Sequence, residues 1–224
     1  MNMIGRIALI GSMSALLSAC ATMGLDKNAT QVDWSKGSVV VTSVELTNEF
    51  KPNYSANWLA MSMEKAKGEG SAGGGTAWET VADGKTSVIL THQLPPGKYS
   101  IKSLQGRAGQ FPVIGNMTFS VDAPFEVQPK SVIYLGHIAM INKEKVNRDD
   151  QASGAVIPII DQAVTGFGGG TLQVALKDRY EQDVAALKND YPALRDMAVI
   201  RAPLAQMELD RSSGSSAPKV IVKP

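Results

Sequence analysis

Between residues 38 and 142 the chain is a succession of short alternating stretches set apart by turn residues. A chain patterned in this way has a sheet-built core. Residues 57–64 are the clearest case: Leu59, Met61 and Met63 fall on one face, with Trp58, Ala60, Ser62 and Glu64 on the other. That period of two belongs to a half-buried strand. Residues 38–46 are rich in β-branched side chains, which suits a second strand. Further strands are expected at 76–81, 85–93, 98–104, 116–121, 125–127 and 131–142. The last is apolar on both faces and therefore central. Pro96-Gly97 fits the middle of a type II turn, proline fixing φ first and glycine accepting positive φ second. Asp83-Gly84 reads as a hairpin turn for the same reason.

The chain opens differently. Arg6 precedes an apolar run from Ile7 to Leu17, and small residues lead into Cys20, the only cysteine in 224 residues. This is the layout of a secretory signal. The run is too short to cross a bilayer, which takes about 20 apolar residues. Leu17-Ser18-Ala19-Cys20 resembles the bacterial lipoprotein signal, in which the cysteine thiol is acylated and becomes the first residue of the mature chain. The resemblance implies two or three acyl chains on Cys20, enough for firm anchoring where one chain holds only marginally. Ala21 follows where aspartate would favour inner-membrane retention. The implied location is therefore the outer membrane, facing the periplasm.

With Cys20 acylated no disulfide is possible, and packing alone must stabilise the fold. Cysteine metal sites and thiol chemistry fall away for the same reason. A content of 44% hydrophobic and 19% charged residues supports a folded core. The formal net charge of +1 includes Arg6. Without the signal the two signs balance, which argues against a nucleic-acid partner. The expected organisation is a signal at 1–19, a lipidated cysteine and polar tether at 20–37, and a β domain at 38–142. A linker with extra strands and a helix follows at 143–197, and a loose Ser/Gly/Pro-rich tail at 198–224. Within that region, 155–161 and 171–177 are expected as strands around a glycine-rich loop at 166–170. Residues 178–190 form the one expected helix, with Asp178 and Glu181 as a capping box and Tyr180, Val184, Leu187 and Tyr191 on one stripe. Trp34 is expected to pack on the domain's edge.

LPPGKYSI at 94–101, followed by FEVQPKSVIYLGHI at 125–138, resembles the prealbumin-like (transthyretin-like, carboxypeptidase-regulatory-like) β-sandwiches of bacterial lipoproteins. Tyr134-Leu135-Gly136 stands where that pattern has its closing strand. The resemblance implies a mainly β, antiparallel prealbumin-like sandwich with the short C-terminal helix packed on it. Such domains serve as binding, scaffolding and stabilising modules, so the fold leaves function open.

Two apparent nucleotide motifs fail. Gly68, Gly70 and Gly73 have G-x-G-x-x-G spacing, but a strand follows them where a helix must open. Gly84-Lys85-Thr86 mimics a phosphate loop, yet Glu79 occupies the position of its first glycine. No nucleotide, cofactor or metal is expected. His92 and His137 are the only histidines, each inside an expected strand and read as structural or solvent-facing. No G-x-S-x-G elbow surrounds any serine, and no catalytic residue is nominated. The expected function is thus non-enzymatic: a protein-interaction or structural module of the cell envelope. The alternative is a peptidoglycan- or polysaccharide-binding domain that stacks Trp58, Trp78 or Tyr54 on sugar faces. An envelope hydrolase ranks third and would need a cleft with convergent carboxylates or a His-centred group.

Overall fold

The computed structural model describes residues 24–66, 74–82, 85–110, 113–147, 150, 152–154, 162–205 and 208–209. Cys20 and its approach, most of the glycine-rich stretch 68–75, Asp83-Gly84, the strand expected at 155–161 and, of the tail expected at 198–224, residues 206–207 and 210–224 lie outside the described residues. The described part of that tail is not loose, since 199–201 and 208–209 pair as strands with 132–134 and 121–122.

The strand marked by the sequence as apolar on both faces, β7 (Val132–Glu144), has neighbours on both sides in the first sheet. That sheet runs β4-β1-β7-β8, with β1 at Ser38–Asn48, β4 at Ser87–Leu94 and β8 at Gly170–Lys177; β9 (Val199–Arg201) also pairs with β7. The second sheet runs β10-β6-β5-β2-β3, from β10 (Glu208–Leu209) and β6 (Val113–Val127) through β5 (Gly97–Gln110) and β2 (Ala56–Lys65) to β3 (Gly74–Thr80). The segments expected separately at 116–121 and 125–127 are one strand, β6. The protein is mainly β and sandwich-like.

The sandwich is mixed rather than antiparallel. β1 and β9 both run parallel to β7. Parallel neighbours need a long crossover, and the chain from β2 through β6 supplies it between β1 and β7. Sequence alternation fixes which face of a strand is buried but carries no information on its neighbour's direction.

Leu46, Leu59, Met61, Leu90, Ile101 and Phe119 meet in the core between the sheets. A second apolar cluster lies on the far side of the first sheet, where Val39, Val41 and Val132 meet Leu187 and Tyr191. The latter two come from α2 (Tyr180–Asp190) and the residue after it. The expected capping box is absent: the N-cap is Arg179, which makes no side-chain cap bond, and Asp178 just ahead of it accepts only a local turn bond from the Tyr180 amide at 3.1 Å. A short helix, α1 (Gln162–Thr165), stands at the sandwich end, where Thr165 fills the space that a side chain at Gly115 would need.

The expected tether is shorter than residues 20–37. Leu25 and Val32 are buried in the second cluster, Trp34 packs against it, and the Leu25 amide donates to Thr91 Oγ1 at 2.9 Å. Polar residues between the apolar ones hid this strap from any periodic reading. Asp26 and Asp33 serve its turns, accepting from the amides of Asn28 and Ser35.

β7 carries one further irregularity. Its register with β1 jumps from Val41↔Tyr134 to Ser43↔His137, so two residues of β7 oppose one of β1. Gly136 occupies this bulge with φ +108°, a value that L side chains rarely adopt. Strict alternation would place Leu135 and His137 on the same face. The bulge instead leaves Leu135 in the intersheet core and turns His137 outward beside Tyr134.

Candidate functional site

The register of the second sheet assembles its outer face. Trp58 stands opposite Thr80 on β3 and Arg107 on β5, and Trp78 stands opposite Ala60. Paired residues share a face, so Trp58 and Trp78 are diagonal neighbours, about 7–8 Å apart by strand geometry. The next rows carry Ser62, Thr76, Ser103 and Gln105, continuing to Asn116 and Thr118 on β6. α2 lies against the other sheet, and no described helix covers this face. Trp78 is 47% exposed. The Arg107 guanidinium lies 5.7 Å from the Trp58 ring centre, and its Nε donates to Asn116 Oδ1 at 3.2 Å. Of the two rings, Trp78 therefore offers the more open surface.

The polar rows beside Trp78 are held in place. Gln105 Nε2 donates to Ser62 Oγ at 3.2 Å and Ser103 Oγ at 3.1 Å, and the Ser62 and Thr76 hydroxyls are 2.7 Å apart. Along β5 from Arg107 to Lys98 the strand covers roughly 30 Å at about 3.3 Å per residue. At its far end a groove of about 610 Å³ is lined by residues including Lys98, Ser100, Lys102 and Asp122. Hydrogen bonds from Lys102 and Ser100 hold the Asp122 carboxyl below the usual carboxylate range.

Among the residues nominated from the sequence, Trp58 and Trp78 come together. Tyr54 does not join them: it is partly buried, packs against the intersheet core and bonds through its backbone oxygen to Asn48. The glycine-rich loops also diverge. The 68–75 stretch connects β2 to β3 at the Glu64 end of the face, whereas Gly166, Gly169 and Gly170 lie near Phe50 and Asn142. Arg107, Gln105 and Asn116 were not nominated. They belong to the face only through β5–β2 and β5–β6 pairing, which no local pattern reveals.

A second polar constellation lies on the opposite side of the molecule, under α2. Ser43 Oγ is 2.8 Å from His137 Nδ1, and His137 Nε2 is 3.1 Å from Glu45 Oε2. Ser43 Oγ also hydrogen-bonds Asp183 Oδ2, which accepts from the Tyr134 hydroxyl at 2.6 Å. Arg179 stands 3.8 Å from the other Asp183 oxygen. Ser43, His137, Asp183 and Tyr134 are all buried. Desolvation, reinforced by the Arg179 charge, lowers the His137 pKa despite the bond to Glu45. Burial opposes charge on Glu45, but hydrogen bonds from Thr86 and His137 outweigh it and hold that carboxyl low. Burial and the Asp183 carboxylate raise the Tyr134 hydroxyl well above the usual phenol range. From the sequence alone His137 reads as a structural or solvent-facing strand residue. The signal that could have marked it is Ser43 and Glu45 two apart on one strand, but only the bulge brings His137 to them.

No family model, curated protein or solved structure matches this chain. The site must be read from its own chemistry. Among the described residues no group of three His, Cys, Asp or Glu side chains could hold a metal ion. No described helix is long and apolar enough to cross a membrane.

Proposed function

We propose that this chain is an outer-membrane lipoprotein, anchored through acylated Cys20, whose sandwich binds a glycan of the cell envelope on the outer face of its second sheet. The carrying observation is Trp78: a half-exposed indole on a sheet face that no described helix covers, flanked by an ordered row of hydroxyl and amide groups. A sugar ring has an apolar face that stacks on an aromatic and an equatorial rim of hydroxyls that needs such partners. A protein interface asks instead for an apolar centre with a polar rim. Here Ser62, Gln105 and Thr76 occupy the centre, which favours the glycan over a protein partner. Binding at this face requires no catalytic group.

The prealbumin-like reading of the sandwich is part of the same proposal. It is supported by the sheet order β4-β1-β7-β8 facing β3-β2-β5-β6; Gly97 itself, at φ +145° and already paired in β5, departs from the roughly +80° of a type II turn centre. The lipoprotein reading rests on Leu17-Ser18-Ala19-Cys20.

Co-sedimentation of the purified domain with insoluble peptidoglycan and with envelope polysaccharide tests the binding. Trp78→Ala is expected to weaken retention about tenfold, a loss of ~1.4 kcal/mol, without changing stability by more than about 0.5 kcal/mol, since the ring is largely outside the core. Retention unaffected by Trp78→Ala and by Trp58→Ala would remove the face as the binding site.

A further inference from the structure

We propose that Ser43, His137 and Glu45 form a serine acyl-hydrolase centre that cleaves short-chain carboxylic esters of polar alcohols. Nucleophile, base and orienting carboxylate stand in line, Ser43 Oγ to His137 Nδ1 at 2.8 Å and His137 Nε2 to Glu45 at 3.1 Å. This is the arrangement by which a weak hydroxyl nucleophile is activated. Ser43 also lines a cavity of about 500 Å³ between α2 and the β3–β4 edge. It thus borders a space where an ester can sit.

The tautomer follows from the acceptors. Glu45 as carboxylate can only accept, so neutral His137 carries its proton on Nε2 and offers the Nδ1 lone pair to Ser43. Asp183 competes for the same hydroxyl hydrogen, yet it already has Tyr134 as a donor and Arg179 close by. Protonated His137 instead donates to Ser43 from Nδ1 and sends the hydroxyl hydrogen to Asp183. The centre is active with imidazole and silent with imidazolium. The charged and titratable groups around the ring are Glu45 from β1, Tyr134 on β7, Arg179 and Asp183 from the α2 side, and Lys177 opposite it on β8.

In the reaction Ser43 Oγ attacks the carbonyl carbon and its proton passes to Nδ1, while the carbonyl electron pair moves onto oxygen. The cations on the cavity wall are Lys85, Arg179 beside Asp183, and Lys27 paired with Glu79; Lys85 and Arg179 are the ones assigned to that oxyanion. Collapse breaks the bond to the alcohol, which leaves with the proton from His137. Water then gives a proton to His137 and attacks the acyl carbon; the bond to Ser43 Oγ breaks, that oxygen takes the proton back from His137, and the carboxylic acid leaves. The cavity walls carry cations, the carboxylates Glu79, Asp183 and Asp190, and hydroxyls, so a short acyl group on a polar, uncharged alcohol fits it. Thr80 lines the same cavity and stands opposite Trp58. The cavity therefore reaches the β3 edge of the sheet that carries the proposed glycan face, and an O-acylated sugar is the natural alcohol component, a refinement that rests on the glycan reading. The hydrolytic centre itself does not.

The test treats the full chain with a fluorophosphonate and follows p-nitrophenyl acetate hydrolysis, neither of which needs a glycan. Peptide mass spectrometry is expected to find one adduct, on Ser43, formed in step with loss of hydrolysis. His137→Gln should slow labelling about 100-fold or more. Glu45→Gln should move the acid limb of the rate profile to lower pH, since it removes a charge that favours imidazolium. No adduct on Ser43 in protein with an intact circular dichroism spectrum overturns the proposal. So does labelling of another serine alone, labelling of His137→Gln at the wild-type rate, or hydrolysis that survives full labelling.

Discussion

His92 and His137 are both shut away from solvent, yet their surroundings make opposite use of the imidazole. His92 faces the intersheet core, where Nε2 lies 3.1 Å from the Ala77 amide and Nδ1 has no partner among the described residues. Burial pushes its pKa from 6.5 down to about 4. Above pH 6.5 the ring is neutral whether the chain is folded or not. Between 6.5 and 4 the unfolded chain takes up a proton that the folded chain refuses, so stability falls with pH by up to about 1.4 kcal/mol per unit. Below about 4 both states are protonated and the loss is complete. His92→Gln keeps a polar group at the site but does not titrate. Its urea midpoint is expected to lie below that of the wild type near neutrality and to converge on it toward about pH 4.5, a change that parallel urea titrations read directly. The sequence placed both histidines in strands. It could not separate them, because the distinction depends on Ser43, Glu45 and Asp183, which are distant along the chain or read there as surface residues.

At the scale of elements, α2 and the β7 bulge show where pattern reading succeeds and where it stops. Of the expected stripe, Tyr180, Leu187 and Tyr191 meet the sheet, whereas Val184 does not join that cluster and Asp183 is buried instead. Asp183 sits on the same side and is 5% exposed; a carboxylate reads as a solvent residue until Ser43, Tyr134 and Arg179 are seen around it. The strands were legible because Leu59, Met61 and Met63, or Tyr99 and Ile101, alternate without interruption. β7 was legible as central but not as bulged, since Gly136 inside an apolar run has no periodic signature. Gly136→Val tests the bulge. A Cβ there meets only ordinary contacts, with Lys177 O at 3.4 Å, so the cost is conformational: about 1–3 kcal/mol for a β-branched residue held at positive φ. Thermal unfolding should show that loss. If the strand relieves the strain by returning to regular alternation, His137 leaves Ser43 and the acid dependence attributed to that pair disappears with it.

At the scale of the whole molecule, the described residues cover the outer face of one sheet and leave that of the other open. The first sheet is covered by α2, the 3₁₀ turn Pro192–Leu194 and the strap that begins at Gly24, whereas the second sheet presents Trp78 and its polar rows. No local pattern predicts this asymmetry, because it depends on where the helix and the strap come to rest. It does have a consequence for a chain acylated at Cys20. Only Ala21 to Gly24 separate that residue from Leu25, which is already fixed beside Thr91 of β4. Five peptide steps reach at most about 17–18 Å. In liposomes containing brominated acyl chains, Trp34 in the strap layer is therefore expected to be quenched more strongly than Trp78, as single-tryptophan variants would show; equal quenching would mean that the strap lets go. On the proposed acylation, a leash this short would make the lipid a floor rather than a distant mooring, with the indole of Trp78 looking out from the bilayer toward whatever polymer fills the space beyond.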